Sequence, residues 1–389
     1  MECLKTLFTI LIELKIENRF AEGVYYMKTN EIKRCNTCIL PINYPCITFN
    51  NQGVCNLCEN YQAPTYLGIE QLKTDIGLIL EKYPKRQFDC VIGLSGGRDS
   101  TYLLHILKKE LKLNVLAYFN DHGYIPDHTK ENVKKVTSTL AVPLIHNFHN
   151  KLEGCLTYQV KAWLRKPRPH SLCTLCMGCK SSIIRNSRFF PKKYQAPIHV
   201  AGWTPFEGAR YKMNLLKQNS KTGGSLAIVK GYASEILKNP SLIGNFNSVL
   251  TQFDEFYTFY GPYKKLDSIV NHTVEILPFR EYIRWIETDV VSTITKEYNW
   301  ESFKDMKSTW RGDCYLGPVR QYLYKELLGY NDKTPHFSDL IRDKQLSRQE
   351  ALNRLEEENV PQEVLNICCN AIGISYNDLK VAVRSSMGL

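Results

Sequence analysis

The stretch Phe88-Asp89-Cys90-Val91-Ile92-Gly93-Leu94-Ser95-Gly96-Gly97-Arg98-Asp99-Ser100 decides how this chain is read. Residues 88–94 form an apolar run of strand length that ends in a glycine-rich turn. Residues 101–111 follow with Leu103, Leu104, Leu107 and Leu111 at helical spacing. A turn between a buried strand and a helix N-terminus is an anion cradle. Gly96 and Gly97 let backbone N–H groups approach an anion, the hydroxyls of Ser95 and Ser100 donate, and the helix end favours negative charge. This is not a Walker A loop, because the spaced second glycine and the Lys-Ser/Thr pair are absent.

Outward from that turn, strands alternate with helices. Residues 114–119 read as a second strand, and Asp127 caps a helix carrying Val133, Val136 and Leu140. Residues 143–148, 197–203 and 273–279 read as three further strands, with a helical, aromatic insertion over roughly residues 225–265. That order predicts an α/β fold with a doubly wound parallel sheet, whose ligands sit at the carboxyl ends of the strands. Asn120, Asp121 and His122 then follow the second strand, and His199 to Gly202 the fourth, facing one crevice. Residues 31–60 are short, turn-rich and cysteine-rich, residues 61–85 read as a helical linker, and the tail from Lys333 reads as helical. Ser347 and Glu350 form a capping box before Ala351, Leu352 and Leu355. The expected division is 1–26, a peripheral helix or mis-called start; 27–62, a metal knuckle; 63–300, the sheet domain; and 301–389, a helical C-terminal region.

The chain has 389 residues, 43% hydrophobic and 23% charged, which suits a globular protein with ample core. Its net charge of +11 favours an anionic partner without choosing between a nucleotide, a nucleotide-sugar, an acidic protein and RNA. Residues 4–14 are mildly apolar, interrupted by Lys5 and Glu13, too short to span a membrane and poor as a signal peptide. A cytoplasmic, non-membrane protein is expected.

The 14 cysteines cluster in short-spaced pairs, a pattern of metal binding in a reducing compartment. Cys35-x2-Cys38 and Cys55-x2-Cys58 fit a four-thiolate zinc knuckle, with Gly53 suited to the turn before the second pair. Cys46 between them reads as spare. Cys173-x2-Cys176-x2-Cys179, with Cys314 far downstream, form a second set, open to an iron–sulfur cluster, a second zinc or plain reduced thiols.

The glycine turn resembles the SGGxDS signature of the PP-loop ATP pyrophosphatases, of adenine-nucleotide alpha-hydrolase type, which cleave ATP to AMP and pyrophosphate. That resemblance implies ATP contacts from Ser95, Gly96, Gly97, Arg98, Asp99, Ser100, Asn120 and Gly202, with Ser95, Arg98 and Asp99 catalytic and Asp99 tied to Mg²⁺ or phosphate. Arg98 stands where a lysine is frequent, keeping the charge but changing the geometry. The second cysteine set resembles the three-cysteine iron–sulfur sites of PP-loop tRNA thiolases.

Several stretches together resemble the N-acetyl sugar amidotransferases of surface-polysaccharide biosynthesis. They are Arg34-Cys35-Asn36-Thr37-Cys38-Ile39-Leu40-Pro41, Tyr44-Pro45-Cys46-Ile47-Thr48-Phe49, Gly53-Val54-Cys55-Asn56-Leu57-Cys58, Gly202-Trp203-Thr204-Pro205-Phe206-Glu207-Gly208 and Lys333-Thr334-Pro335-His336-Phe337-Ser338. The resemblance implies ATP-dependent adenylation of an N-acetyl oxygen on a nucleotide-linked sugar, as in lipopolysaccharide and O-antigen pathways. Ammonia from a partner glutaminase, sometimes with a cyclase-like subunit, then gives an acetamidino group. Glu207 and Asp313 are the candidate substrate contacts. The competing reading is a tRNA thiolase with an iron–sulfur cluster, and a remoter one a zinc-stapled nucleotide-binding scaffold without activity.

Overall fold

The computed structural model describes residues 32–148, 150–202, 215–216, 225–243, 275–303, 306, 308–357 and 359–387. The segment 1–26, Glu207 with its flanking Trp203 to Gly208, and most of the aromatic insertion lie outside the described residues.

After the short helix α1 (Asn56–Glu59) and α2 (Ile69–Lys82), the sheet strands are β1 (Cys90–Gly93), β2 (Val115–Asp121), β3 (Leu144–Phe148), β4 (Ile198–Ala201) and β5 (Glu275–Pro278). All pair in parallel in the order β3-β2-β1-β4-β5. The chain winds outward from β1 through β2 to β3, then returns across β1 to β4 and β5. The reversal lies between β1 and β4, and the ligand crevice of a doubly wound sheet opens at such a point. This is the doubly wound parallel sheet read from the sequence, with Ser95 to Ser100 at the carboxyl end of β1.

Helices cover both faces, which is why the strands are apolar on successive residues rather than alternately. On one face Cys90, Ile92, Val115 and Ala117 pack on Leu103 and Leu104 of α3 (Arg98–His105), Val133 and Val136 of α4 (Asp127–Thr139), and Ile294 of α8 (Glu287–Tyr298). On the other, Val91, Leu116 and Tyr118 meet Phe190 of α6 (Met177–Lys193). Leu104 is fully buried, so Leu104→Ala would cost about 2–5 kcal/mol and loosen the helix that follows the glycine turn. The helix expected to run to Leu111 holds α geometry only to His105 and continues as a π-helical turn, Ile106–Glu110.

Helices α5 (Asn150–Arg165) and α6 fill the crossover from β3 to β4, and α7 (Ser225–Lys238) lies in the insertion. The C-terminal helices are α9 (Leu316–Leu328), α10 (Thr334–Arg342), α11 (Arg348–Glu357), α12 (Gln362–Ala371) and α13 (Tyr376–Met387). The helical tail thus begins at Leu316 rather than Lys333. Ser347 Oγ accepts from Glu350 N at 3.1 Å, the backbone half of the capping box. The Glu350 carboxylate turns instead to Arg354, at 2.7 Å. One apolar cluster joins Cys35, Cys38 and Cys55 to Trp163 of α5, Leu323 and Leu327 of α9, and Cys368 and Cys369 of α12. The cysteine knuckle is therefore packed onto the C-terminal helices. Among the described residues, no helix is long and apolar enough to cross a membrane.

Candidate active site

Gly96 has φ +79°, and a Cβ there would stand 2.5 Å from the Thr129 carbonyl oxygen of α4, so only glycine passes. Its own carbonyl accepts from Trp300 Nε1 at 3.0 Å, which fixes the turn against α8's end. Ser100 Oγ accepts from Ser95 N and lies 3.1 Å from Ser95 Oγ, while Gly97 N donates to Ser95 Oγ at 3.2 Å. Thr101 Oγ1 donates to Gly97 O at 2.8 Å. The turn is thereby held with its amides at the N-terminus of α3, the arrangement an anion site needs. Asp99 Oδ1 accepts from Trp285 Nε1 at 3.1 Å and from Arg98 Nε at 3.2 Å.

Arg98 departs from expectation. Its side chain is only 2% exposed, and its guanidinium is ion-paired with Glu287. It also donates to Thr309 Oγ1 at 3.0 Å and approaches His336 Nε2 at 3.3 Å. Arg354 closes the network on the second oxygen of Glu287 at 2.8 Å. Burial raises the Glu287 carboxyl, but Arg98 and Arg354 hold it below the usual carboxylate range. Burial first, then the charge of Arg98, pushes His336 down to about 3, so it is neutral at pH 7. The arginine expected on the phosphates therefore ties the loop to α8 and α10.

A cavity of roughly 590 Å³ opens over the loop, within the size range of small-molecule sites. Ser95 to Ser100, Asn120, His122, His199 and Gly202 line it, so the sequence-predicted ATP positions share one space. Asn120 uses its amide on Ser182, Asn147 and Asn186, at 2.7–3.0 Å. His199, buried and pushed down to about 3 by burial, contacts Tyr118 through Nε2 at 3.3 Å. Its buried Nδ1 has no hydrogen-bond partner among the described residues. The opposite wall is the segment from Thr309 to Cys314, in which Trp310 stacks on His336 at 4.5 Å. Arg311, at φ +59°, lies over the Trp310 ring at 4.3 Å. Asp313 is on this wall and Glu207 is not described.

The two cysteine sets differ. Cys35, Cys38, Cys55 and Cys58 bring their sulfurs within 4.8 Å of one another, and they are the one such group among the described residues. The pairs Cys35–Cys58 and Cys38–Cys55 are 3.9 and 3.8 Å apart, near the ~3.8 Å edge of a tetrahedron with Zn–S bonds of about 2.3 Å. Burial raises Cys35, yet N–H groups of Cys38, Cys55 and Thr37 bring it down to about 7, whereas Cys38, Cys55 and Cys58, each hydrogen-bonded to a neighbouring thiol, are raised to about 12. Arg342 approaches Cys58 Sγ at 3.8 Å, a positive charge beside the expected anionic site.

In the second set the closed four-cysteine site is not formed. Cys173 donates to His170 O at 3.4 Å and does not line the cavity, because it sits on a 3-10 turn (Pro169–Thr174) before α6. Cys176, Cys179 and Cys314 do line it. Burial first, then Cys179, raises the Cys314 thiol well above its ordinary value. Arg320 approaches Cys176 Sγ at 3.7 Å and pairs with Asp332 at 2.8 Å. Glu287, Arg320 and Trp310 have no local motif to announce them; each matters through partners distant in sequence.

Residues 294–386 match the family model described as LPS biosynthesis protein WbpG-like, C-terminal domain. This WbpG-like region includes the cavity wall and the helices α9 to α13. An uncharacterized protein of Methanocaldococcus jannaschii is 33% identical over 78 residues, 20% of this chain and 28% of that protein. The glutamine-hydrolyzing GMP synthase of Helicobacter pylori is 34% identical over 70 residues, 18% of this chain and 13% of its own length. The chain thus spans less than a third of each of these curated relatives. NMN synthetase from Francisella tularensis aligns over 79% of this chain and 94% of its own, at 12% identity and a TM-score of 0.36.

Proposed function

We propose that this protein is an ATP-dependent amidotransferase that converts the N-acetyl group of a nucleotide-linked sugar into an acetamidino group, for lipopolysaccharide or related surface-glycan synthesis. The observation that carries the reading is the phosphate loop after β1 facing, across one cavity, a wall built from the WbpG-like region. In the first step the amide oxygen attacks the α-phosphorus of ATP. An O–P bond forms, the bond to the β-phosphate oxygen breaks, and pyrophosphate leaves. In the second step ammonia attacks the acetyl carbon, the C–O bond breaks, AMP leaves and protons are released to give the amidine.

The chain's part is to hold and enclose. Amides of Gly96 and Gly97 and the N-terminus of α3 hold the departing pyrophosphate, with Ser95 and Ser100 as hydroxyl donors. The cavity limits water at the adenylate. Mg²⁺ suits the carboxylate oxygens present, Asp99 among them, and would neutralise phosphate charge. Zinc on Cys35, Cys38, Cys55 and Cys58 is structural. Ammonia comes from a separate glutaminase, with a cyclase-like subunit as a further partner, and the reaction is cytoplasmic, where ATP and nucleotide-sugars are found.

A second reading, a tRNA thiolase with an iron–sulfur cluster, draws on one observation: Cys176, Cys179 and Cys314 line the same cavity as the phosphate loop. Incubation with ATP, Mg²⁺, ammonium and a panel of UDP-N-acetyl sugars separates the two. Pyrophosphate release that requires both sugar and ammonium is expected. Release that ignores every sugar and responds to tRNA would replace the first reading with the second.

A further inference from the structure

The phosphate loop lacks the basic side chain that its sequence offers. Arg98 is buried against Glu287, Thr309 and His336, and Arg320 on the facing wall is paired with Asp332. What stands over the loop is a carboxylate. A Cβ built on Gly97 would lie 3.0 Å from Asp313 Oδ2 and 3.4 Å from its Cγ. The segment bearing Asp313 is pinned on both sides. His128 Nε2 lies 3.2 Å from Gly312 O, Tyr315 N donates to Tyr124 O at 2.9 Å, and Trp310 is stacked on His336. His122 and His128, which feel the charge of this carboxylate, are lowered by burial and so do not offset it at pH 7.

An anion fixed against the backbone of an anion cradle repels the phosphates that the cradle takes, unless a cation lies between them. A hard divalent cation accepts carboxylate and phosphate oxygens together. We propose that Asp313 is a protein ligand of a divalent cation, Mg²⁺ or Mn²⁺, that bridges the WbpG-like region to the phosphates held on Gly96 and Gly97. The proposal rests on the ATP reading above and reassigns Asp313 from the sugar to the metal. It also gives the C-terminal region a direct share in the site: the sheet domain supplies the cradle and the wall supplies the counter-ion's ligand.

The test is binding of α,β-methylene ATP, which cannot be split to AMP, by the full chain and by Asp313→Asn, with Mn²⁺ and with EDTA. The proposal predicts a change of sign. With Mn²⁺ the variant binds about tenfold or more weakly; with EDTA it binds as tightly as the wild type or more tightly, because a repulsion has been removed. Equal weakening in both conditions, or no weakening with Mn²⁺, overturns it. If Asp313→Asn does not fold, Fe²⁺-directed peroxide cleavage of the wild type with the analogue bound reads the same point. Scission at residues 312–314 supports the assignment, and scission confined to 95–100 overturns it. A wild type that binds no analogue in either condition removes the ATP reading itself, a result distinct from all of these.

Discussion

Two sets of Cys-x2-Cys pairs with the same local spacing have opposite fates in this molecule. Cys35, Cys38, Cys55 and Cys58 converge into a closed tetrahedral cage packed on the C-terminal helices. Cys176, Cys179 and Cys314 instead border the cavity over the phosphate loop, without gathering to ligand distance, and Cys173 turns away. The difference lies in the backbone around them. In the knuckle, turns donate N–H groups to sulfur, from Cys38 and Cys55 to Cys35 and from Leu40 to Cys38. In the second set Cys173 lies on a 3-10 turn, Cys176 caps α6 and Cys179 stands inside it, so three sulfurs follow one helical path while Cys314 comes from the facing wall. Spacing alone therefore does not make a cage; turns that aim four sulfurs at one point do. The C-terminal helices grip the rest of the chain at both places, through Arg342 and Arg348 at the knuckle and through His336 and Arg354 at the Arg98–Glu287 pair of the loop.

The contrast is broken most severely at the knuckle. Structural zinc supplies on the order of 10 kcal/mol in small domains, so Cys38→Ser should empty the site and unmake the packing around residues 32–60. Metal content and thermal melting read this, and a variant that melts like the wild type without zinc would contradict it. At the loop, Glu287→Gln leaves the buried Arg98 charge without its main partner, a loss of about 3 kcal/mol by denaturant titration. A loss under about 0.5 kcal/mol would mean that the pair is a surface feature.

Acid should act next. His199 and His336 are both pushed down to about 3 by burial from an ordinary 6.5. Their contribution is complete above pH 6.5 and is lost as pH falls toward 3, because the unfolded chain binds the protons first. Each costs about 1.4 kcal/mol per pH unit in that window. His199→Gln should flatten the slope measured between pH 6.5 and 5.5, and an unchanged slope would refute the assignment. The smallest effect belongs to the second set. Cys314→Ser should change stability by less than about 1 kcal/mol and leave zinc content intact. Loss of zinc from that variant would erase the distinction between the two sets.

The sheet was legible because its strands are short apolar runs bounded by turns, and all five lie where the pattern places them. The glycine turn was equally legible, since Gly96 and Gly97 have no other use at the end of a buried strand. Arg98 was not. Its direction is set by Glu287 and His336, 189 and 238 residues away, and no local pattern encodes such partners. The start of the C-terminal helices at Leu316 was less legible, because Gly317 and Pro318, poor helix formers, stand in the first turn of α9. The sequence left the second cysteine set open, because Cys-x2-Cys spacing does not distinguish a knuckle from a helix.

The central claim, adenylation of an N-acetyl oxygen, is tested most directly with a UDP-N-acetyl sugar carrying heavy oxygen in its acetyl carbonyl. The sugar is incubated with the protein, ATP, Mg²⁺ and ammonium, and the AMP is examined by mass spectrometry. Heavy oxygen is expected in AMP and none in pyrophosphate, in proportion to the amidine formed. AMP released without the label, or an amidine formed while AMP stays light, would contradict it.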